Sequence, residues 1–453
     1  MKAPIRIASG QGFWGDLLSA PVDQVNKGPV DYLVMDYLAE VTMSILQKQK
    51  RKDPKTGYAK DLIPLIEEIL PQCIKRNIKI ITNGGGVNPQ GCSEAILCVA
   101  RKLGIHDLKV GVVGGDDILD RIADLRSQGI ELKNMETGES LDPIVDKLES
   151  ANVYFGASPI VTALRQGAQI VITGRTTDTG LTLAPMIYEF GWSESDWDKL
   201  AAGTIAGHIL ECGGQASGGN FSGDWESVPD LEHIGFPIAE AWPEGTIVIT
   251  KHDNTGGMVT VQTVKEQLVY EIGDPRNYIT PDCVADFTSI RLEQVGNDRV
   301  SVSQVKGAPA TAFYKVSMAY LDGYTAFGTL TYSWPDALEK AKRADQILRA
   351  RLRDLNLQFE EIRTEYLGCN SCHGPLAHGV NDPNEVVLRI GVRDQSYDAV
   401  ERFGKELAPL VLTGPPGVTG FAGGRPKPKE VISYWPALIP VQAVSPEVTI
   451  NKL

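Results

Sequence analysis

Two side chains suited to proton transfer stand three residues apart near the middle of the chain. His208 and Glu211 fall in a stretch of helical periodicity that ends at a glycine-rich segment. Residues three apart share one face of a helix, so the imidazole and the carboxylate can reach a common proton. Only six histidines occur in the chain, which adds interest to one beside a carboxylate. The spacing predicts either an acid-base pair or a hydrogen-bonded pair that ties down the end of a helix.

A polar turn follows the predicted strand at 169–173. Arg175 lies in this turn, and Asp178 or Thr179 opens the next predicted helix. The N-terminus of a helix presents unpaired N–H groups to anions, and an arginine adds a bidentate cation. The turn could therefore clamp a carboxylate or a phosphate, with Asp178 as a further acid-base carboxylate. The alternative is that Asp178 or Thr179 simply caps the helix.

Glycine-rich turns follow two other predicted strands. Residues 10–15 (GQGFWG) have the spacing of a dinucleotide fingerprint, and Asp36 stands near the position of its acidic residue. Phe13 and Trp14 would crowd a pyrophosphate, which favours a glycine turn that binds another ligand. The second turn adds backbone N–H groups and amides that could hold a substrate, through Asn83, Gly84, Gly85, Gly86 and Asn88.

Other acidic and metal-type residues carry weaker signals. Asp36 and Glu40 form a second possible pair, and Asp116 and Asp117 are predicted to cap a helix at the same edge of the sheet. The run Cys369-Asn370-Ser371-Cys372-His373, with His378 nearby, has the spacing of a c-type haem site and could also suit zinc. Haem attachment requires export, and a structural zinc site needs a second ligand pair, so we predict no metal.

The elements that must position these residues alternate between strands and helices. Strands are predicted at 5–8, 32–35, 78–82, 108–113, 153–155 and 169–173, with helical segments between them. This pattern predicts an α/β fold whose N-terminal part is an open, mostly parallel sheet with helices on both faces. A loop rich in glycine at 212–223 marks the predicted junction. Residues 1–223 form the first predicted domain, and residues 224–453 form a smaller α+β domain that covers the site.

Composition narrows the classes of function. The 453 residues carry 44 Lys and Arg against 57 Asp and Glu, a formal net charge of −13, which argues against nucleic acid as a partner. No apolar run reaches the roughly 18 residues of a membrane span, and no signal peptide precedes the first strand. Seven cysteines, an odd number, suggest free thiols. We expect a cytoplasmic protein without a membrane partner.

Several ordered blocks resemble the acyclic terpene utilisation family, AtuA. The resemblance rests on residues 12–16 (GFWGD), 31–44 (DYLVMDYLAEVTMS), 83–89 (NGGGVNP), 174–179 (GRTTDT), 207–213 (GHILECG) and 235–240 (GFPIAE). Residues 255–257, 268–272 and 278–282 extend it to nearly the whole chain. The resemblance implies a role in the breakdown of branched, terpenoid-type acids as CoA thioesters. It also implies a small ferredoxin-like domain that this chain is expected to lack, and that a separate small subunit would supply.

We therefore predict an enzyme of branched or terpenoid carboxylic-acid catabolism, of the hydratase or lyase type, working by acid-base catalysis at the cleft between the two domains. His208, Glu211 and Asp178 are the predicted catalytic residues, and Arg175 with the Gly84–Gly86 turn is the predicted clamp. Trp14, Asp36, Asn83 and Asn88 complete the predicted substrate site. No cofactor is expected beyond coenzyme A as part of the substrate, and the chain is expected to form a homo-oligomer. The alternatives are a nicotinamide-dependent oxidoreductase and a non-catalytic subunit that scaffolds a small partner.

Overall fold

The computed structural model describes residues 3–378, 382–421 and 423–453; for residues 40 and 41 it describes the backbone alone. The strands are β1 Ile5–Gln11, β2 Tyr32–Met35, β3 Lys79–Thr82, β4 Lys109–Gly114, β5 Leu148–Val153, β6 Ile170–Thr173, β7 Ile238–Ala241, β8 Ile247–Thr250, β9 Tyr278–Ile279, β10 Val284–Asp286, β11 Arg291–Gly296, β12 Arg299–Ser303, β13 Lys306–Ala308, β14 Phe313–Ser333, β15 Glu361–Leu367, β16 Glu385–Asp394, β17 Val418–Gly420, β18 Lys429–Pro440 and β19 Glu447–Lys452. The α-helices are α1 Ser19–Lys27, α2 Glu40–Lys52, α3 Leu62–Arg76, α4 Pro89–Lys102, α5 Ile122–Ser127, α6 Ser158–Arg165, α7 Asp178–Phe190, α8 Trp197–Leu210, α9 Val261–Val269, α10 Ala337–Asp354, α11 Tyr397–Leu407 and α12 Leu410–Thr413.

The chain divides into two compact units. The first comprises Met1–Ala319 and Tyr434–Leu453, and the second comprises Tyr320–Ser433. The predicted junction at 223/224 therefore falls inside the first unit. The reason is that β7, β8, β12 and β11, which follow the glycine-rich loop, continue the sheet that β1 begins.

A large mixed sheet forms the centre of the first unit. Its strand order is β11-β12-β8-β7-β1-β2-β3-β6-β4-β19. The consecutive strands β1, β2, β3, β6 and β4 are parallel to their neighbours, as the alternating pattern predicts. Antiparallel strands extend the sheet on both sides, through β7 beyond β1 and β19 beyond β4. The α/β class is confirmed, and the antiparallel extensions are an addition that the local pattern does not predict.

Helices cover both faces of the parallel strands. Successive strand residues point to opposite faces, so Ile7 and Val34 join one apolar core while Ala8 and Leu33 join the other. Residues of α6, α7 and α8 fill the first core, and residues of α1, α2, α3 and α4 fill the second. Because both faces are covered, the central strands are continuous buried runs such as residues 170–173, of which 170–172 are apolar.

The second unit has its own sheet and core. Its strands run antiparallel in the order β15-β16-β14-β17, and β18 also pairs with β14. Helices α10 and α11 pack on this sheet through apolar residues such as Leu348 and Phe403. The succession β14-α10-β15-β16-α11-β17 is the β-α-β-β-α-β order of the ferredoxin-like motif. A unit of this topology thus lies within the chain; the separate small subunit stays a prediction.

The parallel strands determine where functional residues can meet. The turns that follow β1, β2, β3, β6 and β4 lie at one edge of the sheet because parallel strands end on the same side. These turns carry most of the candidate residues that the sequence predicts. Within the described residues, no helix is long and apolar enough to cross a membrane.

Candidate functional site

A buried carboxylate and an amide join the ends of β2 and β3. The side chain of Asn83 donates from Nδ2 to Oδ1 of Asp36 at 2.6 Å and accepts at its own Oδ1 from the backbone N–H of Tyr37 at 2.8 Å. Burial raises the pKa of Asp36, although the Arg175 guanidinium and the Asn83 amide oppose the rise. Both predicted residues therefore belong to one hydrogen-bonded pair at the strand ends.

The turn after β6 holds Arg175 inside the protein. Only 2% of its side chain is exposed, and its guanidinium lies 3.2 Å from Oδ1 of Asp178. The guanidinium also stacks on the Tyr154 ring, 4.2 Å from the ring centroid, and donates to the carbonyl of Leu38. Asp178 is 34% exposed. Of this ion pair, the carboxylate is the part that a ligand can reach most readily.

The structure contradicts the alternative in which Asp178 or Thr179 caps α7. Thr177 is the N-cap residue and Asp178 is the first helical residue, so neither Asp178 nor Thr179 is the cap. An acidic side chain in the first turn is favoured by the positive end of the helix dipole. Asp178 is therefore placed by the dipole and by Arg175 together.

His208 and Glu211 form the predicted pair at the end of α8. Nδ1 of His208 lies 2.8 Å from Oε1 of Glu211, and the two side chains are 2% and 14% exposed. The rings of Tyr278 and Phe287 contact the imidazole edge to face, with centroids 5.5 and 5.3 Å away. Within the described residues, Nε2 of His208 is buried and has no hydrogen-bond partner.

Burial and mutual attraction act in opposite senses on this pair. Burial would lower the pKa of His208, but the Glu211 carboxylate, together with smaller contributions from Gln267 and Glu271, raises it. Burial also raises the pKa of Glu211, although His208 opposes the rise. A carboxyl group with a raised pKa can give and take a proton closer to neutral pH than an ordinary glutamate.

Charge interactions connect these separate pairs into one cluster. After burial and His208, the carboxylates of Asp178 and Glu271 raise the pKa of Glu211 further. Glu211 in turn contributes to the raised pKa of Asp36. The structure therefore brings the ends of β2, β6 and α8 together, and the whole cluster lies within the first unit.

Four members of this cluster, Tyr154, Tyr278, Phe287 and Glu271, were not singled out as site residues from the sequence. Tyr154 stacks on Arg175, and Tyr278 contacts His208. The pKa of Tyr278 is raised by burial first and then by the charges of Glu211, Asp178 and Glu271. The available signals were the AtuA-like blocks at 268–272 and 278–282, which contain Glu271 and Tyr278. Tyr278, Phe287 and Glu271 all come from the segment predicted as the second domain, so that segment contributes to the site.

Glycines allow the close approaches that the cluster requires. A Cβ at Gly12 would lie 2.8 Å from the carbonyl carbon of Cys212 and 2.9 Å from the carbonyl oxygen of Glu211. A Cβ at Gly207 would lie 2.6 Å from Cα of Thr179, so this glycine lets α8 approach α7. The chain itself fills the space beside Gly12. The fingerprint spacing at 10–15 therefore serves packing on Glu211, and this geometry gives no support to a pyrophosphate site there.

The remaining predicted substrate residues mainly hold the surrounding loops. A Cβ at Gly85 would lie 2.6 Å from the carbonyl oxygen of Thr173, so Gly85 lets the β3 turn pack on β6. Gly84 and Gly86 donate their N–H groups to Thr82 and Asn83. Asn88 caps α4 by accepting from Gly91 and donates to the carbonyls of Pro54 and Thr56. Trp14 donates from Nε1 to Asp61 at 2.8 Å.

The cysteine motif belongs to the second unit, and one side chain of the second predicted acidic pair lies outside the described residues. Cys369 is partly buried and Cys372 is exposed, and both are free thiols. In the part of the chain that the structure describes, no three His, Cys, Asp or Glu side chains are grouped to hold a metal ion. The side chain of Glu40 lies outside the described residues.

Comparison with known proteins agrees with the AtuA-like blocks. The family model described as "Acyclic terpene utilisation family protein AtuA" matches residues 5–450 of the 453. Neither the curated proteins nor the solved structures give a match. The family match includes every residue of the cluster, from Asp36 to Phe287. The chain belongs to the acyclic terpene utilisation family AtuA.

Proposed function

We propose that the chain is an enzyme of acyclic terpene utilisation that adds water to, or removes it from, a branched or terpenoid carboxylic acid carried as its CoA thioester. The family supports the class of substrate. The observation that carries the chemistry is the His208–Glu211 pair, with 2.8 Å between Nδ1 and Oε1, beside the partly exposed carboxylate of Asp178. Acid-base work on an activated carbonyl compound needs two such proton-transfer groups within reach of one substrate.

The difference in burial supports distinct roles for the two residues of the pair. Glu211 is more exposed than His208, so Glu211 is the group that exchanges a proton with water or substrate, and His208 orients it. In the hydration direction, the Glu211 carboxylate takes a proton from water, and the water oxygen adds to the β-carbon of an unsaturated thioester. Asp178 is the second carboxyl group in this proposal, and in its protonated form it gives a proton to the α-carbon. Arg175 fixes Asp178 through their ion pair instead of contacting the substrate directly.

The test is an activity screen with a matched pair of variants. The purified protein is incubated with a panel of branched and terpenoid acids and their CoA esters, and hydration or dehydration products are measured. Glu211→Gln keeps the size of the side chain and removes its titrating carboxyl, so turnover is expected to fall by roughly 10² to 10⁴. Glu68→Gln makes the same chemical change on the exposed side of α3 and should keep full turnover.

Two outcomes would reject the proposal. One is a Glu211→Gln variant that turns over at the rate of the Glu68→Gln control. The other is a screen in which the wild-type protein, alone and together with a small co-encoded protein, converts none of the acids or thioesters.

A further inference from the structure

The first unit has a cavity that shares no lining residue with the acid-base cluster. Its volume is about 350 Å³, within the range of small-molecule sites. Three aromatic side chains line it, namely Trp192, Trp197 and Tyr314. Trp192 is fixed by a hydrogen bond from Nε1 to the carbonyl of Pro243 at 2.8 Å, so one aromatic wall is held in place.

A carboxylate stands in this aromatic cavity. Asp282 lines it and accepts a hydrogen bond from the backbone N–H of Ala157 at 2.9 Å, just before α6. A Cβ at Gly156 would lie 2.5 Å from Oδ1 of Asp282, so the glycine allows the carboxylate to sit against the chain. Among the described residues, Asp282 forms no ion pair, and burial raises its pKa to about 6. Near neutral pH it is therefore a negative charge without a cationic partner from the described chain.

The other charged side chains of the cavity do not cancel this charge. Glu194 and Arg165 also line it, and both are exposed. Two carboxylates against one guanidinium leave the lining with one excess negative charge. Asp282 is partly exposed, so a cation that enters the cavity can reach its carboxylate and form a charge-assisted contact with it.

We propose that this cavity binds a small organic ammonium ion, held by the Asp282 carboxylate and by the faces of its aromatic side chains. Trp and Tyr rings attract cations through the negative potential of their faces, and alkylammonium groups fit aromatic walls because their methyl groups are apolar. Inorganic cations would instead need several oxygen ligands. The proposal goes beyond the hydratase or lyase function and does not depend on it.

The test compares a cation with its neutral counterpart of the same shape. The full chain is titrated by calorimetry with choline and with 3,3-dimethyl-1-butanol, in which a carbon replaces the quaternary nitrogen. Choline is expected to bind at one site and at least about tenfold more tightly than the alcohol. Asp282→Asn should weaken choline binding by at least about tenfold. Asp274→Asn, the same change in an exposed loop, should not affect it.

A pH series of the wild-type protein keeps the test independent of variant folding. Asp282 loses its charge as the pH falls through about 6, so choline affinity should fall over that range while the affinity for the alcohol stays constant. Glu194, Arg165 and Tyr314 share the cavity, and the same series on Asp282→Asn identifies the responsible group: its choline affinity should not change with pH. Equal binding of the two probes, undiminished choline binding by Asp282→Asn, or no choline binding at all would overturn the proposal.

Discussion

Oδ2 of Asp116 accepts a hydrogen bond from the backbone N–H of Arg175 at 2.8 Å, which links the turn after β4 to the turn after β6. The same oxygen accepts from Nδ2 of Asn152 at 2.9 Å. A Cβ at position 174 would lie 2.1 Å from Oδ1 of Asp116, so Gly174 is required for the carboxylate to reach this peptide. Asp116, predicted from the sequence to cap a helix, instead holds the turn that carries Arg175.

Replacing Asp116 should change how stability depends on pH. Burial raises its pKa to about 7 in the folded protein, against an ordinary value of 3.8. Its contribution to stability is therefore fully present below about pH 4 and is lost as the pH rises through about 7. Asp116→Asn removes this dependence. As the pH rises across this range, the free energy of unfolding of the variant should therefore increase relative to that of wild type by up to about 4 kcal/mol. Denaturant unfolding at a series of pH values measures it, with Asp120→Asn as the exposed control. A difference between variant and wild type that is constant with pH would contradict the prediction.

Arg175→Lys should lower both stability and turnover. Lysine keeps the charge, but it cannot reproduce the stack on Tyr154 while contacting the Leu38 carbonyl and Asp178. We expect a loss of about 2 kcal/mol in the free energy of unfolding, together with reduced turnover because Asp178 is no longer fixed. Thermal unfolding and kinetics on the same preparation check both effects. If turnover falls without any loss of stability, Arg175 contacts the substrate directly, as the sequence predicts.

His208→Gln should move the pH dependence of the reaction. His208 opposes the rise in the pKa of Glu211 that burial causes, so its removal should raise that pKa further. The acidic limb of the pH–rate profile is then expected to shift to higher pH. The matched control is His233→Gln, because Nδ1 of His233 also lies 2.7 Å from a carboxylate three residues away, that of Asp230, but on the surface. An acidic limb that stays in place, or one that moves equally in the control, would argue against Glu211 as the titrating group.

Gly12→Ala should displace the end of α8. The added Cβ would meet the backbone between Glu211 and Gly213 at 2.8 to 2.9 Å, and backbone cannot move aside as a side chain can. Overpacking of this kind typically costs about 1 to 3 kcal/mol, and turnover should fall with it because Glu211 shifts. Gly273→Ala is the control, since nothing lies within 4 Å of a Cβ built there. Thermal unfolding of the two variants gives the comparison, and equal melting temperatures would refute the packing role.

Local pattern was enough to predict the parallel half of the sheet and the His208–Glu211 pair. Strand and helix periods are visible within single elements, and residues three apart on a helix meet whatever the rest of the chain does. One strand of the predicted set is an exception: the strand predicted at 153–155 is β5 at Leu148–Val153, and it pairs with β14 instead of joining the large sheet.

Contacts between distant residues could not be predicted in this way. Arg175 meets the carbonyl of Leu38, which is 137 positions away, and no spacing rule connects the two. The glycines at 213 and 214 suggested a flexible junction, yet a Cβ at either position would contact Phe236. A glycine can serve either a flexible backbone or a close approach between two chain segments. Glycine content therefore does not distinguish a linker from a tightly packed turn.

The position of β19 sets the order in which the first unit can be completed during synthesis. β19 pairs with β4 over six residues, from Glu447 with Gly114 to Lys452 with Lys109, and Ile450 packs against the apolar core. Tyr320–Ser433 leave the ribosome before this strand does. Until β19 arrives, the hydrogen-bonding edge of β4 is open to other strands, including those of neighbouring nascent chains. Ribosome-bound chains that stop before residue 447 should therefore associate more readily than the full-length protein.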